Sequence, residues 1–324
     1  MRKVLVAVAG CCLLLASSIA RADMPGDPLS WLGRIASAAE RVNFTGTFMY
    51  QSGAHSETSR IAHRVDEHGQ FERLEVLDGS PREVIRVGSE VRCVLPDERT
   101  VIIDRANSRR VFPVRLPETF GSLAESYRIS KGRVSRVAGY EAQAILLEPR
   151  DNLRYGRTLW AERQTGLLLK SRIVDEDGGV VEQITFNDVR IGGEIGEELL
   201  TPRFEYNDSW RVVHAGGNEI GREETGWGAT PPLPGFAPVS AMKRPLGQDR
   251  GEAIHLVFSD GLASISVFIE PLSAEAPQDQ LGEQSNGAIN IYKRAAHGHL
   301  ITALGEVPAR AVRRLADAVQ PGVN

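Results

Sequence analysis

The histidines and carboxylates come nearest to a chemical constellation, and none completes one. His297-Gly298-His299 puts two imidazoles on one face of an extended strand, as a pair of metal ligands would sit, but no third ligand is spaced to join them. Exposed loop histidines are the plainer reading there. The same holds for His63 and His68, one just before a turn and one within it. Asp175-Glu176-Asp177 has the look of a calcium-ligand cluster, yet it lies in a Gly-Gly hairpin without the remaining ligands, so a solvated turn is expected. Gly216-Gly217 followed by Gly221 lacks the strand-to-helix setting of a phosphate loop, and no Gly-x-Ser-x-Gly elbow is present. These residues imply no metal, no cofactor and no catalytic group.

The N-terminus sets the compartment in which the remaining residues work. Met1-Arg2-Lys3 is a basic start, Val4 to Ala20 is largely apolar, and Ala20-Arg21-Ala22 has the small-x-small pattern of a signal-peptidase site. Cleavage after Ala22 is expected, giving an exported chain. The removed segment holds three cations and no acid, so the formal charge of −4 becomes −7. A mildly acidic chain with no basic block argues against a nucleic-acid partner. Cys11 and Cys12 leave with the signal, and Cys93 alone cannot form an internal disulfide. Strand alternation in Glu90-Val91-Arg92-Cys93-Val94-Leu95 puts Cys93 beside Val91 and Leu95, so an inert buried thiol is expected. Arginine far outnumbers lysine. Composition bias would explain that, and so would bidentate contacts to carboxylates or lipid phosphates.

The elements begin with residues 27 to 52. Asp27 suits an N-cap and Pro28 the first helical position. Leu29, Leu32, Ile35, Ala39 and Val42 then form a stripe with Trp31 at its edge. The strand that follows puts Phe44, Gly46, Phe48 and Tyr50 on one face. A helix feeding directly into a sheet usually packs on it, since each has one apolar face to cover. Strands are then expected at 57–65, 70–77, 82–87, 90–95 and 100–104, and again at 143–148, 157–163, 167–174 and 180–187, with Gly, Pro and Asp turns between. Such spacing suits a strongly curved antiparallel sheet or open barrel.

The pattern turns irregular between about Thr201 and Thr225. A second ordered region starts near Trp227, with strands expected at 253–259, 262–270, 289–294 and 299–304, a polar loop over 271–287, and a closing helix over 307–319. The expected division is a signal peptide at 1–22, a large domain at 23–202, a linker at 203–224 and a small α+β domain at 225–324.

Several short matches occur in order along the chain. They are Trp31-Leu32 with Asn43-Phe44-x-Gly46 and Tyr50; Gly79-x-Pro81-Arg82-Glu83-Val84; Arg154-Tyr155 with Trp160; Thr165-Gly166-Leu167-Leu168; and Glu182-Gln183. Later come Trp227, Leu233-Pro234-Gly235-Phe236, Arg244-Pro245-Leu246, Ser259-Asp260-Gly261-Leu262 and Gly305-Glu306-Val307-Pro308. Through them the chain resembles the RseB/MucB family of periplasmic regulators of the sigma-E envelope-stress pathway. The resemblance weakens over Asp97 to Gly132. It implies a mainly β fold: an unclosed antiparallel barrel like LolA and LolB, wrapped around helices, plus a small C-terminal α+β domain. It also implies a protein that is not an enzyme. Such a protein would bind the periplasmic segment of a membrane anti-sigma factor, shield it from site-1 proteolysis, and be released by lipopolysaccharide or another acylated lipid.

In that setting Phe44, Phe48, Tyr50, Leu74 and Val76 are candidates for a lipid-binding concave face, the competing reading being that they pack on the helix of residues 28–42. Trp227, Phe236 and Phe258 are candidates for the partner surface, with buried core as the competitor. A homo-oligomer stays open. A lipid or lipoprotein carrier without a protein partner is the alternative, and the added C-terminal domain speaks against it. An exported hydrolase lacks its motifs.

Overall fold

The computed structural model describes residues 26–105, 116, 120, 123–245, 251–272 and 281–322. Helix α1 (Pro28–Arg41) is capped by Asp27, whose carboxylate accepts from the Ser30 N–H at 3.1 Å. Strands β1 (Phe44–Ser52), β2 (His55–Asp66), β3 (Gly69–Val76), β4 (Glu83–Val87), β5 (Glu90–Leu95) and β6 (Thr100–Arg105) follow as an antiparallel meander. After the short α2 (Leu123–Ser126), β7 (Tyr127–Val137), β8 (Tyr140–Pro149), β9 (Gly156–Glu162), β10 (Leu168–Val174) and β11 (Val180–Ile191) meander back, and β11 pairs with β1. Helix α3 (Glu197–Leu200) precedes β12 (Arg211–His214), which runs parallel to β6. The result is a 12-stranded sheet with β12 at one edge and β7 at the other, so the barrel is not closed.

The second region holds β13 (Asn218–Glu219), α4 (Arg222–Thr225), β14 (Trp227–Ala229), β15 (Ala237–Pro245), β16 (Glu252–Ser259) and β17 (Ser264–Pro271). It continues with β18 (Gly282–Asn286), β19 (Ile289–Ala296), β20 (His299–Gly305), α5 (Ala309–Ala318) and β21 (Val319–Pro321). Seven of these strands form a second sheet, and β14 pairs with β21. Three corrections to the sequence reading follow. Residues 282–286, expected in a loop, form the edge strand β18, while 273–280 lie outside the described residues. Strand β17 starts at Ser264, which leaves Leu262 in the turn. Residues in the expected linker are drawn into both sheets, β12 joining the large one and β13 the small one.

Register settles which residues share a face. Tyr50, Ile184, Ser171, Leu159 and Ile145 lie side by side across five strands. Phe44, Gly46 and Phe48 lie on the same side of β1 as Tyr50, and Ile61, Leu74 and Val76 extend that face across β2 and β3. Helix α1 covers the β7–β10 end of this face. Its buried positions are Trp31, Leu32, Ile35 and Ala38, so the apolar stripe is rotated from the one expected and Trp31 is central to it. Arg34 fixes that rotation: its guanidinium lies 4.7 Å over the Trp31 ring and donates to the carbonyls of Arg163 and Gln164 at 3.0 and 2.7 Å.

Gly46 is where the β1–β11 pair closes. A Cβ there would lie 2.4 Å from the Asp188 carbonyl oxygen and 3.1 Å from the Phe186 ring. Because the obstacle is backbone, Gly46→Ala is expected to cost about 3 kcal/mol in denaturant unfolding, whereas Gly216→Ala, with open space around it, should change stability by less than about 0.5 kcal/mol. Equal effects of the two substitutions would contradict this packing.

Candidate functional site: the shared face and the joint between the sheets

Phe44 and Phe48 are buried in one core with Ile61, Leu169, Phe186 and Val189. Phe186 meets both edge-on, at ring-centroid distances of 6.0 and 5.9 Å. Val137 and Ala142, flanking the β7–β8 turn, belong to this core, and Leu74 packs against its side. Val76 is buried, and Tyr50 is half-buried with its hydroxyl donating to Glu182 Oε2 at 3.1 Å. The five candidates therefore share a face, as the alternation implied. Helix α1 anchors a different core, with Leu123, Tyr127, Ile145, Leu147 and Leu159. Among the described residues, α1 and the two phenylalanines fall in separate cores, and Val137 and Ala142 of the β7–β8 hairpin share the one with Phe44 and Phe48.

This face carries polar groups that sequence reading did not find. His63, expected in a loop, is 2% exposed. Its ring stacks on Phe44 at 4.9 Å and its Nδ1 lies 3.0 Å from the Val42 carbonyl oxygen. Burial lowers its pKa, with the Val42 hydrogen bond partly opposing, so the ring is neutral and Nδ1–H donates. Glu72 lies opposite His63, and Arg86 lies opposite Glu72. The Glu72 carboxyl is buried, and its Oε2 has no hydrogen-bond partner among the described residues. Burial pushes its pKa up to about 7, against the opposing charge of Arg86.

The C-terminal candidates are core residues. Trp227, Phe236 and Phe258 are buried with Leu256, Ile265 and Leu315, so in this conformation they support the surface of that region from beneath. His299 and His297 meet the Trp227 ring edge-on at 5.0 and 6.1 Å, His297 exposed and His299 half-buried. No group of three metal-ligating side chains occurs among the described residues. Asp175 Oδ1 accepts from the N–H groups of Asp177 and Gly179, making that cluster a hairpin turn. Cys93 is free and buried.

The two sheets meet at a joint built from the quoted motifs. Arg154, in the β8–β9 connection, has a side chain 1% exposed. Its Nε is 3.2 Å from Asp151 and its Nη1 3.4 Å from Asp260, contacts held by charge without hydrogen-bond alignment. Nη2 donates to the Pro234 carbonyl at 2.8 Å, and the guanidinium lies 4.9 Å over Phe236. The Tyr127 hydroxyl donates to Asp260 at 3.0 Å. Burial, then the Asp260 charge, hold that phenol well above its ordinary pKa, so it stays a donor. Gly235 has φ +74° and no room for a Cβ, which would lie 2.8 Å from Arg154 Nη2. Nearby, Arg157 and Glu306 form a second buried pair at 3.4 Å.

Glu72 makes stability depend on pH. Its pKa rises from 4.5 unfolded to about 7 folded, so its burial destabilises increasingly as pH climbs through that window and fully above it. His63 acts oppositely on acidification, so the single variant isolates the carboxyl. Glu72→Gln should gain roughly 2–3 kcal/mol relative to the parent chain between pH 5 and pH 8 in urea unfolding, and a pH-independent difference would contradict the assignment.

Two family descriptions match along the chain: MucB/RseB N-terminal domain over residues 27–204 and MucB/RseB C-terminal domain over residues 221–320. The sigma factor AlgU regulatory protein MucB of Pseudomonas aeruginosa is 32% identical over 95% of this chain and 96% of its own. The sigma-E factor regulatory protein RseB of Haemophilus influenzae is 25% identical over 95% of each. Among solved structures, MucB in complex with MucA(peri) aligns with a TM-score of 0.70 at 28% identity, covering 92% of this chain and 100% of that one. A crystal structure of MucB aligns with a TM-score of 0.66 at 29% identity, covering 92% and 98%. With both of its halves matched, the chain belongs to the MucB/RseB family.

Proposed function

We propose that this chain is a periplasmic, non-catalytic regulator that binds the periplasmic segment of a membrane anti-sigma factor and shields it from site-1 proteolysis. Lipopolysaccharide or another acylated lipid releases it. The observation that carries the reading is the alignment over 92% of the chain with MucB held in complex with MucA(peri). Export rests on the signal-like residues 1–22, and no helix among the described residues is long and apolar enough to cross a membrane. The domains run over 23–202 and 225–324, and the segment 203–224 between them lends β12 to the first and β13 to the second.

The lipid half of the reading is supported by the apolar side chains grouped on this face, of which Phe44, Phe48, Leu74 and Val76 are the acyl-contact candidates and Tyr50 marks a polar border. Reaching Phe44 and Phe48 requires the β7–β8 tip to lift from them. On the partner side, Trp227, Phe236 and Phe258 hold the shape of the C-terminal surface. A lipid that favours the free regulator over the complex shifts release by no more than that difference in affinity.

The mature chain, mixed with the periplasmic segment of its anti-sigma factor, should co-elute with it and slow site-1 cleavage at least tenfold when the chain exceeds its Kd tenfold. Unchanged cleavage or no complex would overturn the regulator reading. Acyl uptake without any complex would favour the carrier alternative.

A further inference from the structure

Helix α5 buries Ala311, Val312, Leu315 and Ala316 in the C-terminal core and leaves Arg310, Arg313 and Arg314 exposed. Positions i, i+3 and i+4 share one side of a helix, so the three guanidinium groups neighbour one another. Together with Thr230, Pro231 and Asp317 they line a cavity of about 410 Å³. The Thr230 N–H donates to the Ala318 carbonyl at 2.9 Å, which holds that segment beside the helix. Carboxylates of the chain itself already reach two of the arginines. Glu176, in the β10–β11 turn, accepts from Arg310 Nη2 at 2.5 Å, and Glu283 of β18 accepts from Arg313 Nη1 at 3.5 Å. Asp317 lies 3.7 Å from Arg313 and 3.8 Å from Arg294, which offsets its charge. Arg314 has no acidic partner among the described residues.

We infer that the outer side of α5 docks on a phosphate-bearing lipid surface, one headgroup phosphate entering this cavity while its acyl chains stay in the membrane. The contact is independent of the acyl-contact candidates and of lipid release. A guanidinium presents a planar fork of N–H donors that matches phosphate oxygens two at a time. A carboxylate has two oxygens to offer, whereas a phosphate monoester has enough to meet all three arginines at once. Magnitude decides the exchange at Arg310. Its pair with Glu176 joins side chains that are 46% and 57% exposed, and such pairs contribute little, so Glu176 yields to a group that also engages Arg313 and Arg314. Openness decides the source. A free ion in so exposed a site keeps most of its water, whereas a lipid surface adds the field of neighbouring headgroups within a Debye length. The chain is acidic overall, so this arginine cluster also orients its approach to an anionic surface. Glu176 belongs to the large sheet's domain and Arg310 to the other, so docking removes one contact between them.

The test is flotation of the mature chain with vesicles of phosphatidylcholine and phosphatidic acid at four to one. A second set of vesicles takes the same surface charge from oleic acid. The parent chain should bind the phosphatidic acid vesicles about fivefold more tightly than the oleic acid ones. Arg314→Ala should weaken that binding about tenfold, and Arg314→Lys, which keeps the charge and loses the fork, should restore only part of it. Glu176→Gln should tighten binding about threefold, whereas Asp177→Asn, the same charge change one residue along, should leave it as it was. Arg314, Glu176 and Asp177 are exposed, so urea unfolding of these variants should match the parent chain's. Binding that Arg314→Ala does not change, or no flotation at all, would overturn the docking site and leave the regulator reading untouched. Equal binding to both vesicles would overturn the choice of phosphate. Equal effects of Glu176→Gln and Asp177→Asn would overturn the exchange at Arg310. Complete competition by inorganic phosphate at the concentration of lipid phosphate would overturn the lipid surface in favour of a free ion.

Discussion

A guanidinium that is 1% exposed must find its charge partners within the protein, and Arg154 finds them on both sides of the domain boundary. Asp151 belongs to its own connection, whereas Asp260, Pro234 and Phe236 belong to the other sheet's region. Truncating one partner of such a pair typically costs about 3–5 kcal/mol, because the other charge is left buried and alone. The arrangement gives little stability over an apolar equivalent, but it tolerates one relative placement of the two sheets. Gly235, with no room for a Cβ, follows from that placement, as do the burial of Leu153 in the C-terminal core and of Leu262 in the core that α1 anchors.

The shared face has a different character. An apolar stripe runs beside a row in which His63, Glu72 and Arg86 adjoin across strands. Burying Glu72 with an unpartnered oxygen works against folding at neutral pH, a cost of the kind found where a surface has a task besides stability. The opposite face of the same strands places its carboxylates differently: buried Glu75 and Glu83 are paired by Arg73 and Arg203. The same strands thus bury two acids with arginine partners and one with an oxygen left without a hydrogen bond among the described residues.

Much of the fold was legible because alternation and turn residues are local signals. Strand β5 has the bounds its pattern implied, and Asp27 caps α1 as its position suggested. Strand β7 escaped notice because a register shift between Lys131 and Val134 breaks its alternation, and β15 is similarly interrupted between Pro238 and Ser240. Strand β18, Gly-Glu-Gln-Ser-Asn, is an edge with no apolar face to betray it. The burial of His63 depends on Val42 and Phe44 across a strand pair, and that of Trp227, Phe236 and Phe258 on a core assembled from distant segments. Arg154-Tyr155 and Ser259-Asp260-Gly261-Leu262 were visible as motifs, but their meeting is a fact of tertiary structure.

The central claim is that two sheets with separate strand order share one cooperative fate, since each core lacks a leucine without the other. Scanning calorimetry of the mature chain tests it most directly. One transition, with calorimetric and van't Hoff enthalpies in agreement, is the expected result. Two resolved transitions, each matching one domain, would contradict it.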